Sequence, residues 1–138
     1  MRRGGGYVGI CAGAFLASQP RGRYEYLRLL PVRSRGNSGS FITPVTWASS
    51  PIGPKRRGDC KYSNGPLLSL IDSDAEVEIW SRFESGEEDL DLAGKPAVLA
   101  GHHGRGNVVI FSPHCERFPS RATLFPDAVR WAAGRLPE

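Results

Sequence analysis

The residues of this chain that could do chemistry lie near its two ends. Cys11 directly follows a short apolar run, and His114 and Glu116 follow a second one, Val108–Phe111. Because Glu116 is two residues after His114, an extended segment would point the carboxylate and the imidazole to the same side. A thiol, an imidazole and an orienting carboxylate are the three groups of a catalytic triad. The pattern predicts that the Cys11 thiolate attacks a carbonyl carbon, with His114 as base and Glu116 orienting the imidazole.

The residues around Cys11 indicate a sharp turn from a strand into a helix. Gly9 and Gly13 supply the small residues that such a nucleophile elbow needs, since Cβ atoms there would clash. The backbone N–H of Ala12 would form half of an oxyanion hole. A helix N-terminus favours a thiolate, so we expect a lowered pKa for Cys11. The alternative is that Cys11 is a buried, inert thiol, as free cysteines commonly are.

Three segments of the chain resemble one protein family. Residues 4–14 resemble the elbow of the biotin–protein ligase N-terminal domain family, which belongs to the class I glutamine amidotransferase-like superfamily. Residues 62–66 are similar to its Tyr-x-Asn-Gly segment, and residues 104–116 to its closing strand and triad. The resemblance implies an α/β fold, a class I glutamine amidotransferase-like (flavodoxin-like) sandwich. It also implies a cysteine-dependent amidotransferase or hydrolase that cleaves an amide or ester through a thioester intermediate.

The chain departs from that family at three points. Phe15 replaces the Gln that usually follows the elbow, and the usual His-Pro-Glu reads His114-Cys115-Glu116. Only ten residues precede Cys11, so we expect a sandwich that lacks its first strand or strands and the upstream oxyanion-hole loop. These departures leave a second hypothesis open, a non-catalytic binding or regulatory domain that keeps the elbow as a structural relic. A further possibility is another thiol-enzyme branch of the superfamily. That branch usually has His directly after the nucleophile, and the presence of Ala12 at this position counts against it.

Length and composition bound the remaining possibilities. A chain of 138 residues with 40% apolar content predicts one globular domain, residues 1–138. Its odd count of three cysteines shows no paired spacing, which favours a reducing compartment and hence the cytoplasm. No apolar stretch approaches the roughly 18 residues of a membrane span. No motif for biotin, ATP, a metal or another cofactor is present. The expected partner is a small-molecule or peptide substrate, and an unpaired sheet edge would favour association between copies.

The N-terminal segment also has an alternative interpretation. Two arginines followed by the apolar residues 7–17 have the outline of a secretory signal peptide. Five glycines within and before that run make a poor apolar helix, and the cleavage site is weak. The elbow interpretation is favoured because it also accounts for the distal His114 and Glu116.

Charge is distributed unevenly along the chain. Residues 1–61 contain eleven Lys or Arg and two acids, net +9, whereas residues 62–138 contain seven and twelve, net −5. Much of the basic charge lies in residues 31–66, whose Pro, Gly and Ser content predicts a loop region. That loop would either meet an anionic ligand or be merely solvated. Nothing in its sequence matches a nucleic-acid-binding motif, which argues against a nucleic-acid partner. Residues 84–91 predict an acidic surface loop.

Hydrophobic periodicity predicts the elements that would position the triad. A buried strand over Tyr7–Ile10 leads into a helix over residues 12–18, and residues 24–30 alternate weakly like a strand. Residues 76–83 alternate as a half-buried strand, except at Trp80. Residues 96–102 and 107–112 predict a hairpin. A closing helix is expected to pack through Phe125, Val129, Ala132 and Leu136.

Overall fold

The structure is a computed structural model, and it describes residues 1, 3–19, 25–84 and 91–135. The two helices are α1 (Ala12–Ala17) and α2 (Leu124–Ala132). The eight strands are β1 (Gly6–Ile10), β2 (Val32–Arg35), β3 (Ser40–Trp47), β4 (Arg56–Ser63), β5 (Leu67–Leu70), β6 (Val77–Phe83), β7 (Pro96–His103) and β8 (Gly106–Phe111).

Two sheets organise the described part of the chain. Six strands form one sheet in the order β1-β8-β7-β6-β3-β4, and β2 pairs with β5 in a second, antiparallel sheet. In the larger sheet β1 and β8 are parallel, and every other neighbouring pair is antiparallel. The core is divided between two clusters, one containing Trp47, Tyr62 and Phe111, the other centred on α1, β2 and β5.

The expected flavodoxin-like α/β sandwich is wrong. That fold needs parallel strands joined by crossover helices that cover both faces of the sheet. Here strand residues (43%) far outnumber helix residues (12%), and the sheet is mixed and curled. The reason is that β7 and β8 are joined by two residues, and β3 and β4 by residues 48–55, so that both pairs are antiparallel and need no crossover helix.

Residues 31–66 were expected to be a loop, but they contain β2, β3 and β4. Pairing along the full length of β3 and β4 accommodates the Pro, Gly and Ser residues that suggested a loop. Trp47 and Tyr62 anchor this pair, because both side chains are fully buried in the core. Burial of these aromatic side chains therefore stabilises paired strands here, although the average composition of the segment is typical of loops.

Several predicted elements are confirmed. The strand at Tyr7–Ile10 is β1, although it lies at a sheet edge and only Gly9 in it is buried. The hairpin is β7–β8, joined through Gly104, whose φ of 59° suits a tight turn. The strand at residues 76–83 is β6, and a register shift between Ile79 and Ser81 explains why Trp80 joins the core.

One local prediction is wrong, and another holds in part. The described residues 25–30 form no strand. Helix α2 packs inward through Phe125 and Ala132 as expected, since Ala132 is buried and Phe125 contacts the core cluster. Val129 is instead 56% exposed, and the preceding Ala128 is buried. Residue 24, the acidic residues 85–90 and Leu136 lie outside the described part of the chain.

No helix in the described residues is long and apolar enough to cross a membrane.

Candidate active site

The parallel pair β1–β8 brings the two ends of the chain together. Ile10 is aligned with Phe111, and the Cys11 amide donates a hydrogen bond to the Phe111 carbonyl at 2.8 Å. Cys11 comes directly after β1, and His114 comes three residues after β8. Because parallel strands end at the same edge of a sheet, both segments leave the sheet there. Residues about a hundred positions apart thereby share one edge.

Cys11 has a strained backbone at the turn from β1 into α1. It is the N-cap of α1 with φ 52° and ψ −103°, outside the conformations that non-glycine residues ordinarily adopt. Its carbonyl accepts hydrogen bonds from the amides of Ala14 and Phe15, which closes the turn into the helix. Such strain persists only where the surroundings enforce it, and it is concentrated at functional sites.

The two glycines that flank the turn differ in how strictly they are needed. A Cβ on Gly9 would lie 2.7 Å from the carbonyl carbon and oxygen of Gly13 and 2.6 Å from Tyr7 Cε1. A Cβ on Gly13 would meet only the Tyr7 hydroxyl, at an ordinary 3.5 Å. That hydroxyl donates a hydrogen bond to the Gly13 carbonyl at 2.7 Å and so ties β1 to α1. The clash predicted for both glycines therefore holds at Gly9 only.

His114 and Glu116 form a pair. The imidazole Nδ1 lies 2.5 Å from the Glu116 Oε1, and both side chains are partly exposed. Because an ionised carboxylate can only accept, this contact places a proton on Nδ1 and leaves Nε2 as the nitrogen that can take one up. The His114 amide also donates to the Lys61 carbonyl at 2.7 Å, which fixes this segment against β4.

The environment of Cys11 does not favour the thiolate, contrary to expectation. Partial burial raises the pKa of the thiol, the Ala12 backbone N–H opposes that effect by hydrogen bonding, and the Glu116 charge raises it further. The helix contributes little because α1 has only six residues. The thiol also donates to the Ser63 carbonyl at 3.5 Å, an interaction that holds the neutral form.

The Tyr-x-Asn-Gly segment contributes a third wall to the site. Asn64 adopts a positive φ of 53° and accepts a hydrogen bond from the Gly39 amide at 2.9 Å. A Cβ on Gly65 would overlap the Ser112 carbonyl oxygen, so only glycine permits this approach. The Ser112 hydroxyl donates to the Pro66 carbonyl at 2.7 Å. The segment thereby holds Ser63 in reach of the Cys11 thiol.

Ser112 and the Ser63 carbonyl were not singled out from the sequence. Isolated serines carry no spacing signal, although the position of Ser112 directly after β8 could have drawn attention to it. Cys11 thus lies beside Ala12 and Ser63. The carboxylate of the His114–Glu116 pair is near enough to affect the thiol electrostatically. Within the described ranges, no group of three His, Cys, Asp or Glu side chains could hold a metal ion.

A cleft of about 480 Å³ lies beside the elbow helix but is lined by neither Cys11 nor His114. It combines apolar and basic side chains: Phe15, Leu67, Leu68, Arg33, Arg35 and Lys95. Its connection to the elbow is Phe15, whose amide is bonded to the Cys11 carbonyl. The volume is in the range of about 300–1,000 Å³ that holds small ligands.

Comparison with known proteins gives a structural likeness only. No protein-family model and no curated protein matches the chain. Among solved structures, it resembles Gan42B, a GH42 β-galactosidase from G. stearothermophilus, with a TM-score of 0.64 and 14% identity over 99% of this chain. A catalytic mutant of the same enzyme matches with a TM-score of 0.52 and 12% identity over 79%.

This likeness concerns the fold and not the activity. The chain spans only 19% of the length of the β-galactosidase in the first comparison. At 14% identity the match shows only a shared fold. Together with the strand content, it contradicts the expected flavodoxin-like fold.

Proposed function

We propose that this protein is a cysteine-dependent hydrolase or amidotransferase-like domain acting on an amide or ester carbonyl, related to the N-terminal domains of biotin–protein ligases. The observation that carries the proposal is the strained φ of 52° at Cys11. The elbow lies at the same sheet edge as the segment bearing the His114–Glu116 pair. Strained backbone is concentrated at functional sites, which favours a reactive cysteine over a merely structural one.

The proposed reaction has two steps. His114 Nε2 takes the proton from the Cys11 thiol, the sulfur bonds to the carbonyl carbon, and the oxyanion accepts a hydrogen bond from the Ala12 amide. Collapse of this intermediate breaks the bond to the leaving group, which receives the proton from His114 and departs. Water or an amine then attacks the resulting thioester, gives its proton to His114, and releases the Cys11 thiol.

The raised pKa of Cys11 fits a base-assisted mechanism. Burial keeps the thiol neutral until a base removes its proton, so turnover would depend on His114 rather than on a preformed thiolate. Glu116 both orients the imidazole and stabilises the positive charge that it acquires. Three free cysteines fit a reducing compartment such as the cytoplasm, where this thiol would stay active.

Turnover of an activated ester, p-nitrophenyl acetate, and of model amides and thioesters tests the proposal. Cys11→Ser and His114→Ala should each remove nearly all activity, and their combination should be barely worse than either, because the residues act in one step. Glu116→Gln should leave a weaker enzyme with its base intact. Independent, additive losses at Cys11 and His114 would refute the shared step.

A second candidate function is a binding or regulatory domain, and the cleft beside Phe15 specifically favours it. Its buried leucines and basic side chains suit a small ligand with an aromatic or aliphatic body and an anionic group. Arg35 already contacts Asp91 at 3.3 Å, an exposed pair that an anionic ligand would exchange at little cost.

Titration with 2-naphthoate followed by NMR distinguishes the two functions. The binding domain predicts that Arg33→Gln and Lys95→Gln weaken binding, that salt weakens it further, and that Cys11→Ser leaves it unchanged. Arg105→Gln, at the β7–β8 turn, is the matched control for loss of one exposed charge. Binding with no turnover on any substrate would favour this function over catalysis.

A further inference from the structure

Cys60 and Cys115 lie next to an isolated antiparallel bridge, on the same side of it. Lys61 and His114 form an antiparallel bridge, with the His114 amide donating to the Lys61 carbonyl. One residue back from Lys61 is Cys60, and one residue on from His114 is Cys115. The next position after a hydrogen-bonded pair is a non-hydrogen-bonded one, where Cα atoms are about 4.5 Å apart and side chains are closest. That separation lies within the range of about 4.4–6.8 Å that a disulfide spans.

The surroundings of the two thiols agree with this register. Both cysteines are 0% exposed, belong to the same core cluster and are free. The Cys60 thiol lies beside that of Cys115, and burial together with this contact raises the pKa of Cys115 well above its usual value. The Arg56 guanidinium opposes this shift at Cys115 and interacts electrostatically with both sulfurs. The guanidinium thus offsets only part of the effect of burial, and it is the proximity of the two sulfurs, not a ready thiolate, that favours a bond between them.

We propose that Cys60 and Cys115 are an oxidation site, a thiol pair that closes to a disulfide. The bond would join β4 to the segment after β8, directly between His114 and Glu116. The sequence conceals the pair, because the two cysteines are 55 positions apart and one lies inside the His-x-Glu motif.

The oxidant is a peroxide, and the reaction balances as follows. One thiolate attacks a peroxide oxygen, the O–O bond breaks, and the sulfur becomes a sulfenic acid with release of water. The second thiol attacks that sulfur, the S–S bond forms, and the sulfenic oxygen leaves as a second water. Two thiols thereby lose two electrons and two protons to one molecule of hydrogen peroxide. A dithiol reductant reverses the reaction by thiol–disulfide exchange.

Cys11 provides the contrast within the same protein. It is more exposed than the buried pair, and its thiol contacts the Ser63 carbonyl rather than a second sulfur. Peroxide should therefore carry Cys11 to oxygenated forms, whereas the buried pair should lose hydrogen and gain no oxygen.

The experiment is graded treatment of the whole chain with hydrogen peroxide, followed by intact-mass analysis and non-reducing peptide mapping. In the wild type and in Cys11→Ser, we expect one cross-linked species that joins the peptides of Cys60 and Cys115 and disappears with dithiothreitol. Cys60→Ala and Cys115→Ala should lose that species and accumulate oxygen on the remaining thiol. The linked protein should unfold at a higher temperature than the reduced protein, because the bond closes a long loop.

Three results would overturn the proposal. They are a dominant link that includes Cys11, links only between molecules, or a fully reduced buried pair after Cys11 is completely oxidised. Mapping of the wild type decides among them even if an alanine variant fails to fold. The disulfide does not depend on the proposed catalysis, so inactivity of Cys11 on every substrate would leave this inference standing.

Discussion

Alanine substitution should destabilise the protein at Gly9 but not at Gly13, although both residues flank Cys11 symmetrically in the sequence. In Gly9→Ala the new Cβ would lie 2.6 Å from Tyr7 Cε1 and 2.7 Å from the Gly13 carbonyl group. Neither the ring of Tyr7, held by its hydrogen bond to the Gly13 carbonyl, nor the helix backbone can yield without moving the elbow. In Gly13→Ala the new Cβ meets only ordinary contact at 3.5 Å.

The magnitudes follow from these contacts. Overpacking of this kind typically costs about 1–3 kcal/mol, and a backbone contact places Gly9→Ala toward the upper part of that range. Replacing a helical glycine by alanine without strain stabilises by about 0.4–1 kcal/mol, so Gly13→Ala should be neutral or stabilising. For a chain of this length, about 1 kcal/mol corresponds to roughly 3–4 °C in Tm. The two variants should therefore differ by about 2–4 kcal/mol, which is roughly 6–16 °C in Tm.

Calorimetry and urea denaturation of the two variants and the wild type check this prediction. Alkylation of Cys11 should also change in Gly9→Ala, because displacement of α1 alters the environment of the thiol, and should stay close to wild type in Gly13→Ala. Equal stability of the two variants, or a larger loss in Gly13→Ala, would refute the argument that Gly9 is the sterically required residue of the elbow.

Three further predictions concern the site and its supports. Iodoacetamide should label Cys11 before the two fully buried thiols, with a midpoint pH above that of free cysteine because burial raises the pKa of Cys11; peptide mass spectrometry showing another order would contradict this. Glu116→Gln should lower the pKa of Cys11, since the carboxylate charge raises it. A pH profile of alkylation that does not move to lower pH would show that Glu116 is not close to Cys11. Tyr62→Phe should lower the free energy of unfolding, measured by urea denaturation, by about 1–3 kcal/mol, because the Gly65 carbonyl loses the 2.6 Å hydrogen bond from the buried hydroxyl. Unchanged stability would show that this bond is dispensable.

Features that depend on neighbouring residues can be predicted from the order of the amino acids alone. The glycines and the apolar run around Cys11 indicated a strand, a turn and a helix, and β1 and α1 are found there. Spacing by two residues indicated the His114–Glu116 contact, which the structure contains. The β7–β8 hairpin followed from two apolar runs separated by a glycine-containing turn. These signals are local, so a short stretch of chain carries all the information they need.

Contacts between distant segments could not be predicted in this way, because they depend on how the whole chain folds. Composition indicated a loop over residues 31–66, yet pairing of β3 with both β4 and β6 makes strands there. Helical spacing did not distinguish Val129 from Ala128 as the inward residue of α2, because the choice depends on the sheet against which the helix packs. The raised pKa of Cys11 likewise comes from burial and from Glu116, more than a hundred positions away.

The pairing of Cys60 with Cys115 illustrates why these features cannot be derived from spacing. Their register follows from one bridge between β4 and the segment after β8, and that bridge exists only once the six-stranded sheet has formed. Hydrogen bonds between strands and the burial of side chains join residues irrespective of their separation along the chain. The sequence thus determined which groups could react, and the non-local pairing of strands decided which of them are neighbours.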